Sequence, residues 1–226
     1  MLLIPIGDEN PRKRLPLVTW GILLANVGVF VHAAMMSEQA ATGFYERYAF
    51  FPSHPIWYAY LSSAFLHGGL AHLFFNMLFL WIFADNVEDV FGHVGFLIFY
   101  VLAAVAAVEG FVVMHGGVSA PMVGASGAIA GVLGAYLVLF PTNRIRVFWW
   151  FFFFFRVFYV SAFVAIIFWF LMQMAWIYVE LNSKGSTGVA YSAHAAGFLF
   201  GFVVAAVLRT VGVIRPRRPS RPYSYG

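Results

Sequence analysis

The sequence predicts an all-α integral membrane protein with six transmembrane helices. Of its 226 residues, 62% are hydrophobic and only 10% are charged, whereas an ordinary soluble domain has roughly 25% charged residues. The mean hydropathy of +0.85 agrees with several apolar segments long enough to cross the hydrocarbon core of a bilayer. A water-soluble protein of this length could not bury so much apolar surface, so the soluble classes are excluded.

Glycine, proline and charged residues divide the apolar sequence into six predicted spans. These spans cover residues 17–36, 69–84, 91–114, 122–140, 157–179 and 191–211. The second is the shortest, because its apolar stretch ends at Ala84, short of the roughly 20 residues that a transmembrane helix needs. It either begins earlier or continues past Asp85, where protein or water surrounds the helix. A basic N-terminal segment, 1–16, and a basic tail, 212–226, flank the predicted core, 17–211.

The distribution of lysine and arginine predicts that both termini are cytoplasmic. With the N-terminus inside, all thirteen basic residues except Arg47 and Lys184 fall on the cytoplasmic side, as the positive-inside rule requires. The inside loop 84–90 is acidic, but acidic residues contribute little to this rule. We therefore interpret the net charge of +4 as a topology signal and not as a nucleic-acid-binding surface.

Two aromatic segments outside the spans are predicted to lie at the membrane interfaces. Residues 37–68 are rich in Phe, Tyr and Trp and fall on the outer side. The segment VFWWFFFFFR, 147–156, lies between arginines on the inner side. Because aromatic rings favour the headgroup level of a bilayer, we expect the second segment to anchor the protein at the inner interface.

Chemistry in this chain must come from the few polar side chains inside the spans. The chain contains no cysteine, which excludes disulfides, thiolate metal sites and cysteine nucleophiles, and we predict no cofactor and no bound metal. An ionisable group in a bilayer is costly unless it is paired or functional. In the predicted topology, four polar residues share one depth near the outer ends of spans 2, 4 and 6: His72, Asn76, Ser126 and His194.

The spacing of these four residues is suited to nucleophilic chemistry. His72 and Asn76 are four residues apart and share one helix face. Ser126 lies among glycine and alanine, so a substrate chain can approach its hydroxyl closely. A serine needs a base in contact with its hydroxyl to become nucleophilic at neutral pH, and His194 is the candidate base.

Small residues on spans 4 and 6 indicate a close helix contact. They recur on one face of each helix: Gly127, Gly131 and Ala135 on span 4, and Gly197 and Gly201 on span 6. If the two faces meet, His194 reaches the hydroxyl of Ser126. Each feature alone is also typical of ordinary helix packing, and a single histidine in a span could equally be a proton site or a metal ligand. Only the shared depth favours catalysis.

Four motifs resemble those of the rhomboid family of intramembrane serine proteases. GASG at 124–127 resembles the nucleophile motif GxSG, HLFFN at 72–76 resembles the HxxxN of the second helix, and AHAAG at 193–197 resembles the base motif AHxxG. VEDVFG at 87–92 resembles the turn that follows the second core helix. The resemblance covers residues 15–211 and implies a six-helix rhomboid-like bundle.

The resemblance implies a role for each candidate residue. Ser126 would be the nucleophile and His194 the base, a dyad with no acidic third member. His72, Asn76 and the backbone N–H of Ser126 would form the oxyanion hole, where one donor contributes about 3 kcal/mol. The expected function is an intramembrane serine endopeptidase that cleaves transmembrane segments of membrane proteins near the outer leaflet. Its partners would be these substrates and the lipid bilayer, and its location a prokaryotic plasma (inner) membrane.

Two positions depart from the family pattern. Ala130 stands one turn after the candidate nucleophile Ser126, where some family members hold an aromatic ring beneath the histidine. The first loop has no adjacent Trp-Arg pair and offers Arg47 and Trp57 only at a distance.

Three further features of the sequence lie outside the four motifs. The resemblance implies that span 5 forms a lateral gate opposite Phe75, and its bulky residues include Phe168, Trp169, Phe170 and Trp176. His67 is expected to support the fold of the first loop. Glu109 lies within span 3 and is assigned no role.

Two other function classes stay open at the level of the sequence. A six-span channel or transporter could use the same polar residues as an ion path, although it would be expected to show broken helices or ion-pairing acids near the midplane. A catalytically inactive rhomboid-like protein that binds client helices would usually lack the serine or the histidine, and both are present.

Overall fold

The computed structural model describes residues 2–10, 13–115, 120–182 and 189–215, and there the chain is mostly helical. The elements are β1 (Leu2–Asp8), α1 (Leu17–Ala34), α2 (Glu38–Tyr48), α3 (Ala59–Ser62), α4 (Leu70–His115), α5 (Ser126–Leu139), β2 (Arg144–Phe151), β3 (Phe154–Ser161), α6 (Ala162–Asn182) and α7 (Tyr191–Thr210), with a 3₁₀ turn at Ser63–Phe65. Arg12, Lys184 and the basic tail from residue 216 onward, which contribute to the predicted orientation, lie outside the described residues.

Four of the described helices are long and apolar enough to cross a membrane. They are α1, α4, α6 and α7, of which α4 alone has 46 residues. Helix α5 is apolar but has only 14 residues. Helices α1 and α7 begin at the first residue of the predicted spans 17–36 and 191–211 and end within two residues of them. The length and composition of the helices make this an integral membrane protein.

The predicted second and third spans form one helix, α4, which is broken at Gly92. Gly92 has φ 72° and ψ 164°, a conformation in the left-handed region that favours glycine. Span 2 therefore continues past Asp85, which was one of its two predicted alternatives, and residues 85–90 are helical and do not form the predicted inside loop. The described helices do not form six separate spans. The physical reason is that Asn86 binds Asp8 of the N-terminal segment and Glu88 binds Thr19 of α1, and their side chains therefore need no exposure to water.

A buried carboxylate of α4 holds the first turn of α1. Glu88 accepts hydrogen bonds from the backbone N–H of Val18 at 3.0 Å and from the backbone N–H and hydroxyl of Thr19 at 2.8 and 2.6 Å. Asp89 accepts one from the backbone N–H of Arg14 at 3.1 Å. These carboxylates satisfy N–H groups that have no acceptor within α1. The acidic residues thus tie α1 to α4.

A three-stranded antiparallel sheet corrects the prediction of an all-α protein. Its strand order is β1-β2-β3, and β2 and β3 form a hairpin in which Phe151 pairs with Phe154. The aromatic segment 147–156 lies in this hairpin, and the fifth predicted span, 157–179, begins as a helix only at Ala162. Val, Phe, Trp and Tyr favour strands when they can pair. Hydropathy alone does not distinguish such a hairpin from a membrane segment.

Helix α5 lies at the centre of the bundle, between α4 and α7, and nearly all of its side chains are buried. A Cβ atom added to Gly197 would overlap the carbonyl oxygen of Gly127, and one added to Gly201 would overlap that of Gly131. The small-residue faces of α5 and α7 therefore contact each other through backbone atoms. This contact brings the first turns of the two helices together.

Candidate active site

The N-terminal ends of three helices meet at one cavity of about 720 Å³. His72 and Asn76 lie in the first two turns of α4. Ser126 is the first residue of α5, and His194 lies in the first turn of α7. All four side chains line the cavity, so the structure brings together the four residues that the predicted topology placed at one depth.

Ser126 and His194 form a direct hydrogen bond. The Nε2 atom of His194 lies 2.7 Å from the Oγ atom of Ser126. On the other side of the ring, Nδ1 lies 2.8 Å from the Oε1 atom of Gln173 in α6. Activation of a serine by a general base requires an imidazole nitrogen within this distance of the hydroxyl.

His72 and Asn76 both approach the backbone that precedes Ser126. A Cβ atom added to Gly124 would lie 2.8 Å from Cε1 and Nε2 of His72 and 3.6 Å from Nδ2 of Asn76. The φ of Gly124 is 120°, which also favours glycine at this position. Asn76 is 7% exposed, and its Nδ2 atom has no hydrogen-bond partner among the described residues. A buried amide donor of this kind is available to a developing negative charge in the cavity.

The first turn of α5 supplies backbone donors beside the Ser126 hydroxyl. The first N–H groups of any α-helix have no acceptor within the helix. In α5 the N–H of Ile129 donates to the carbonyl of Ala125, the residue just before the helix, at 3.0 Å. The N–H of Gly124 donates to the carbonyl of Ser63 at 2.9 Å, which fixes the chain just before the helix. The N–H of Ser126 is therefore oriented by a helix terminus that also attracts negative charge.

The family to which the chain belongs is decided by the comparison with protein-family models. The model described as the Rhomboid domain matches residues 54–211. The chain belongs to the rhomboid family. The match includes all four side chains of the candidate site and covers more than half of the chain.

Individual rhomboid relatives include a bacterial, a chloroplastic and a mitochondrial protein. The chain is 31% identical over 153 residues to the rhomboid protease GluP of Bacillus subtilis, a match that covers 67% of this chain and 26% of GluP. It is 32% identical over 127 residues to the chloroplastic Rhomboid-like protein 11 of Arabidopsis thaliana, covering 55% of this chain and 42% of that protein. It is 33% identical over 152 residues to the mitochondrial Rhomboid protein 1 of Saccharomyces cerevisiae, covering 62% of this chain and 39% of that protein. The chain thus spans less than half the length of the curated relatives it matches.

Two aromatic rings flank the histidine of this rhomboid site. The Trp169 ring of α6 lies 6.0 Å from the His194 ring, and the Tyr191 ring lies 6.2 Å from it in an edge-on arrangement. Ala130, which stands where some rhomboid proteins hold an aromatic ring, is fully buried here. The aromatic neighbours of His194 thus come from α6 and α7.

Sequence reasoning missed Gln173 as a residue of the site. The available signal was an amide side chain in the apolar middle of α6, flanked by Met172 and Met174, whereas the other amide of this helix, Asn182, is its last residue. An apolar span needs no glutamine, and a buried amide requires hydrogen-bond partners. Its partner, His194, is 21 residues away along the chain, so the sequence could not identify the contact.

His67 and Glu109 lie outside the hydrogen-bonded pair. The backbone carbonyl of His67 accepts a hydrogen bond from the Tyr45 hydroxyl at 2.6 Å. The His67 ring lies edge-on to the His72 ring, with 5.0 Å between the ring centres. Burial, and to a smaller extent the charge of His72, lowers the pKa of His67 to about 4, so this imidazole is neutral at physiological pH. Glu109 is exposed, and a hydrogen bond to it adds to burial in raising the pKa of Tyr60.

Proposed function

We propose that this rhomboid protein is a serine endopeptidase that cleaves transmembrane segments of membrane proteins. The observation that carries the proposal is the 2.7 Å contact between Oγ of Ser126 and Nε2 of His194 in a cavity. A serine that only packed two helices together would not need an imidazole base and a buried, unpaired amide donor in the same cavity. The rhomboid protease GluP, which is similar to this chain, agrees with the proposal.

The proposed reaction has two halves. Oγ of Ser126 attacks the carbonyl carbon of the scissile peptide bond while Nε2 of His194 accepts the hydroxyl proton. The C–N bond then breaks, the histidine returns the proton to the departing amine, and an ester remains on Ser126. Water, deprotonated by His194 in the same way, attacks this ester and releases the carboxylate product together with the free hydroxyl.

Three donors would stabilise the negative oxygen of the tetrahedral intermediate. They are the side chains of His72 and Asn76 and the backbone N–H of Ser126. The unpaired Nδ2 of Asn76 supports this role, because a donor without a ground-state partner loses no hydrogen bond when it binds the oxyanion. Each donor of this kind contributes about 3 kcal/mol to catalysis.

In the membrane we propose six crossings. The break at Gly92 divides α4 into parts of 22 and 23 residues, 70–91 and 93–115, each about 33 Å long at 1.5 Å per residue. Helix α5 is about 21 Å long and is surrounded by other helices, so its short length does not expose backbone to lipid. The two parts of α4 and helix α5, together with α1, α6 and α7, would make six crossings.

This topology places the site on the side opposite the chain termini. Both termini of the proposed core, 17–211, would then be cytoplasmic, with basic flanking segments at 1–16 and 212–226. The site would lie near the outer leaflet of a prokaryotic plasma membrane, within reach of water. The exposed rings of the hairpin tip, at 152–155, would lie at the inner interface.

A substrate helix would enter between α6 and the first part of α4. Trp169 and Phe75 both line the cavity, and Phe75 is 44% exposed. Helix α6 packs chiefly against α7 and makes few contacts with α5. The substrate must also unwind near the scissile bond, because helical carbonyl groups are already hydrogen-bonded. Helix-weakening residues near that bond would therefore favour cleavage.

The decisive experiment combines cleavage and active-site labelling in proteoliposomes. The purified protein should cut a transmembrane substrate and react with a fluorophosphonate, and Ser126→Ala and His194→Ala should abolish cleavage. Ser161→Ala and His54→Ala, which change the same residue types outside the site, should retain it. Near-wild-type cleavage by Ser126→Ala would contradict the proposal. Binding of substrate helices by the wild type without any cleavage or labelling would favour a client-binding protein instead.

A further inference from the structure

Gln173 is an unusual residue for the position that it occupies in α6. Among the side chains described for this helix, the buried ones are Ala162, Ile166 and Gln173, and they fall on one face. Gln173 is only 7% exposed. A buried primary amide costs free energy unless its donor and acceptor groups are both bonded. Its partners therefore explain why it is there.

Both ends of the Gln173 amide have partners, and these partners fix its orientation. The Nε2 atom donates to the carbonyl oxygen of Trp169 at 3.4 Å. A carbonyl oxygen can only accept a hydrogen bond, so the NH₂ end of the amide must face Trp169. The Oε1 atom consequently faces His194, where it lies 2.8 Å from Nδ1.

This orientation selects one tautomer of His194. The Oε1 atom of Gln173 can only accept, so Nδ1 of the histidine must carry the hydrogen. A neutral imidazole has one donor nitrogen and one acceptor nitrogen, which leaves Nε2 as the acceptor. Nε2 is the atom 2.7 Å from the hydroxyl of Ser126. The selected tautomer is the one in which His194 can take the serine proton.

We propose that Gln173 is a positioning residue that sets the tautomer and ring orientation of His194. The proposal rests on the proposed protease function and adds a neutral third member to the pair of Ser126 and His194. In soluble serine proteases an aspartate holds the histidine in this way. Here an amide oxygen does so without placing a second charge in the membrane. When His194 becomes protonated, the same oxygen still accepts its Nδ1–H.

The flanking rings cannot replace this contact. Trp169 and Tyr191 lie 6.0 and 6.2 Å from the His194 ring, so they restrict its rotation, but these ring contacts place no hydrogen-bond acceptor at Nδ1. The acceptor comes from α6, the helix that would move aside to admit a substrate. The base is therefore aligned only while α6 lies against α7, which links closure of the site to catalysis.

The test compares two substitutions of Gln173. Gln173→Met keeps the length of the side chain and removes the acceptor, whereas Gln173→Glu keeps an acceptor oxygen. Gln39→Met makes the same change at the second glutamine of the chain, which is exposed in α2. The measurements are kcat and KM for a transmembrane substrate, the rate of fluorophosphonate labelling at Ser126, and the ¹⁵N NMR shifts of His194.

The proposal predicts a distinctive pattern. Gln173→Met should lower kcat and the labelling rate by about 10- to 100-fold with little change in KM, and its ¹⁵N spectrum should show a mixture of tautomers. Gln173→Glu should stay within about fivefold of the wild type, and Gln39→Met should be unchanged. A purely structural role would lower stability in both Gln173 variants and would leave the tautomer of the folded protein unaltered.

Two results would overturn the proposal. One is wild-type kcat and labelling in Gln173→Met, and the other is a folded wild-type protein whose ¹⁵N shifts show Nδ1 without a hydrogen. The ¹⁵N shifts are measured on the wild type, so they test the proposal even if Gln173→Met does not fold. Failure of the protease function is recognised separately, because the wild type would then neither cleave nor be labelled, while the tautomer of His194 would still report on Gln173.

Discussion

A Cβ atom added to Gly197 would lie 2.0 Å from the carbonyl oxygen of Gly127, so the contact between α7 and α5 leaves no room for any side chain at Gly197. The two glycines stand next to the candidate catalytic residues, one after Ser126 and three after His194. The contact therefore sets the distance between the hydroxyl and the imidazole.

Gly197→Ala should separate the two helices and reduce cleavage by at least about 100-fold, because a displacement of about 1 Å in catalytic groups has effects of that size. The check is the kcat of the variant together with its thermal stability in detergent. Gly28→Ala is the matched control, since a Cβ atom at Gly28 in α1 meets no atom within 4 Å. Full activity in Gly197→Ala would show that the glycine contact does not position the dyad.

Asn76→Ala should lower kcat by about 100-fold and leave KM nearly unchanged, because one oxyanion donor is lost while His72 and the backbone N–H remain. The loss should be smaller than that caused by Ser126→Ala. Steady-state kinetics with a transmembrane substrate would measure both effects. Asn182→Ala, at the exposed end of α6, should behave as the wild type. An increase in KM with unchanged kcat would instead assign Asn76 to substrate binding.

Asp8 should make stability depend on pH. Burial, and to a smaller extent the charge of Asp85, raises the pKa of Asp8 from 3.8 to about 7 in the folded protein, although the hydroxyl of Tyr136 donates to its carboxyl group at 2.5 Å and opposes the shift. The folded state binds this proton more tightly than the unfolded state. The contribution of the proton to the free energy of unfolding is therefore complete below pH 3.8 and is lost as the pH rises to about 7.

Thermal unfolding in detergent between pH 5 and pH 8 would measure this dependence. The wild type should lose stability toward pH 8, by less than about 3 kcal/mol, since about two of the three pKa units of the shift act between pH 5 and pH 8 and partial exposure of Asp8 reduces the effect. Asp8→Asn, which keeps the shape without the charge, should give a flatter profile. An equally steep profile in Asp8→Asn would assign the effect to another group.

Glu88→Ala should destabilise the protein by about 2–3 kcal/mol or more, because the N–H groups of Val18 and Thr19 and the Thr19 hydroxyl would lose their shared acceptor in a buried position. Glu88→Gln retains one carbonyl oxygen and should be intermediate. Chemical denaturation in mixed micelles would compare them with Glu38→Ala in the exposed helix α2. Equal stability of the wild type and Glu88→Ala would contradict the role of Glu88 in holding α1.

Much of the helical framework was predictable because hydropathy reports directly on burial in lipid. The starts of α1 and α7 follow from the first residue of each apolar stretch. The prediction of an all-α protein was wrong at the sheet, and the fifth predicted span began at 157 although 157–161 belong to β3, because a hydrophobic strand and a membrane helix have similar composition. At 85–90 the polar side chains allowed either a loop or a helix that continues past Asp85, and the structure has the helix, because Asn86 binds Asp8 and Glu88 binds Thr19.

The sequence by itself determined the class of membrane protein, the family motifs and the four polar residues expected to share one depth. Those conclusions depend on composition and local spacing, which need no knowledge of contacts. Only the tertiary structure decided that Gln173 lies beside His194 and that Glu88 holds the first turn of α1. The residues of both pairs are far apart along the chain, and their hydrogen bonds depend on how whole helices pack against each other.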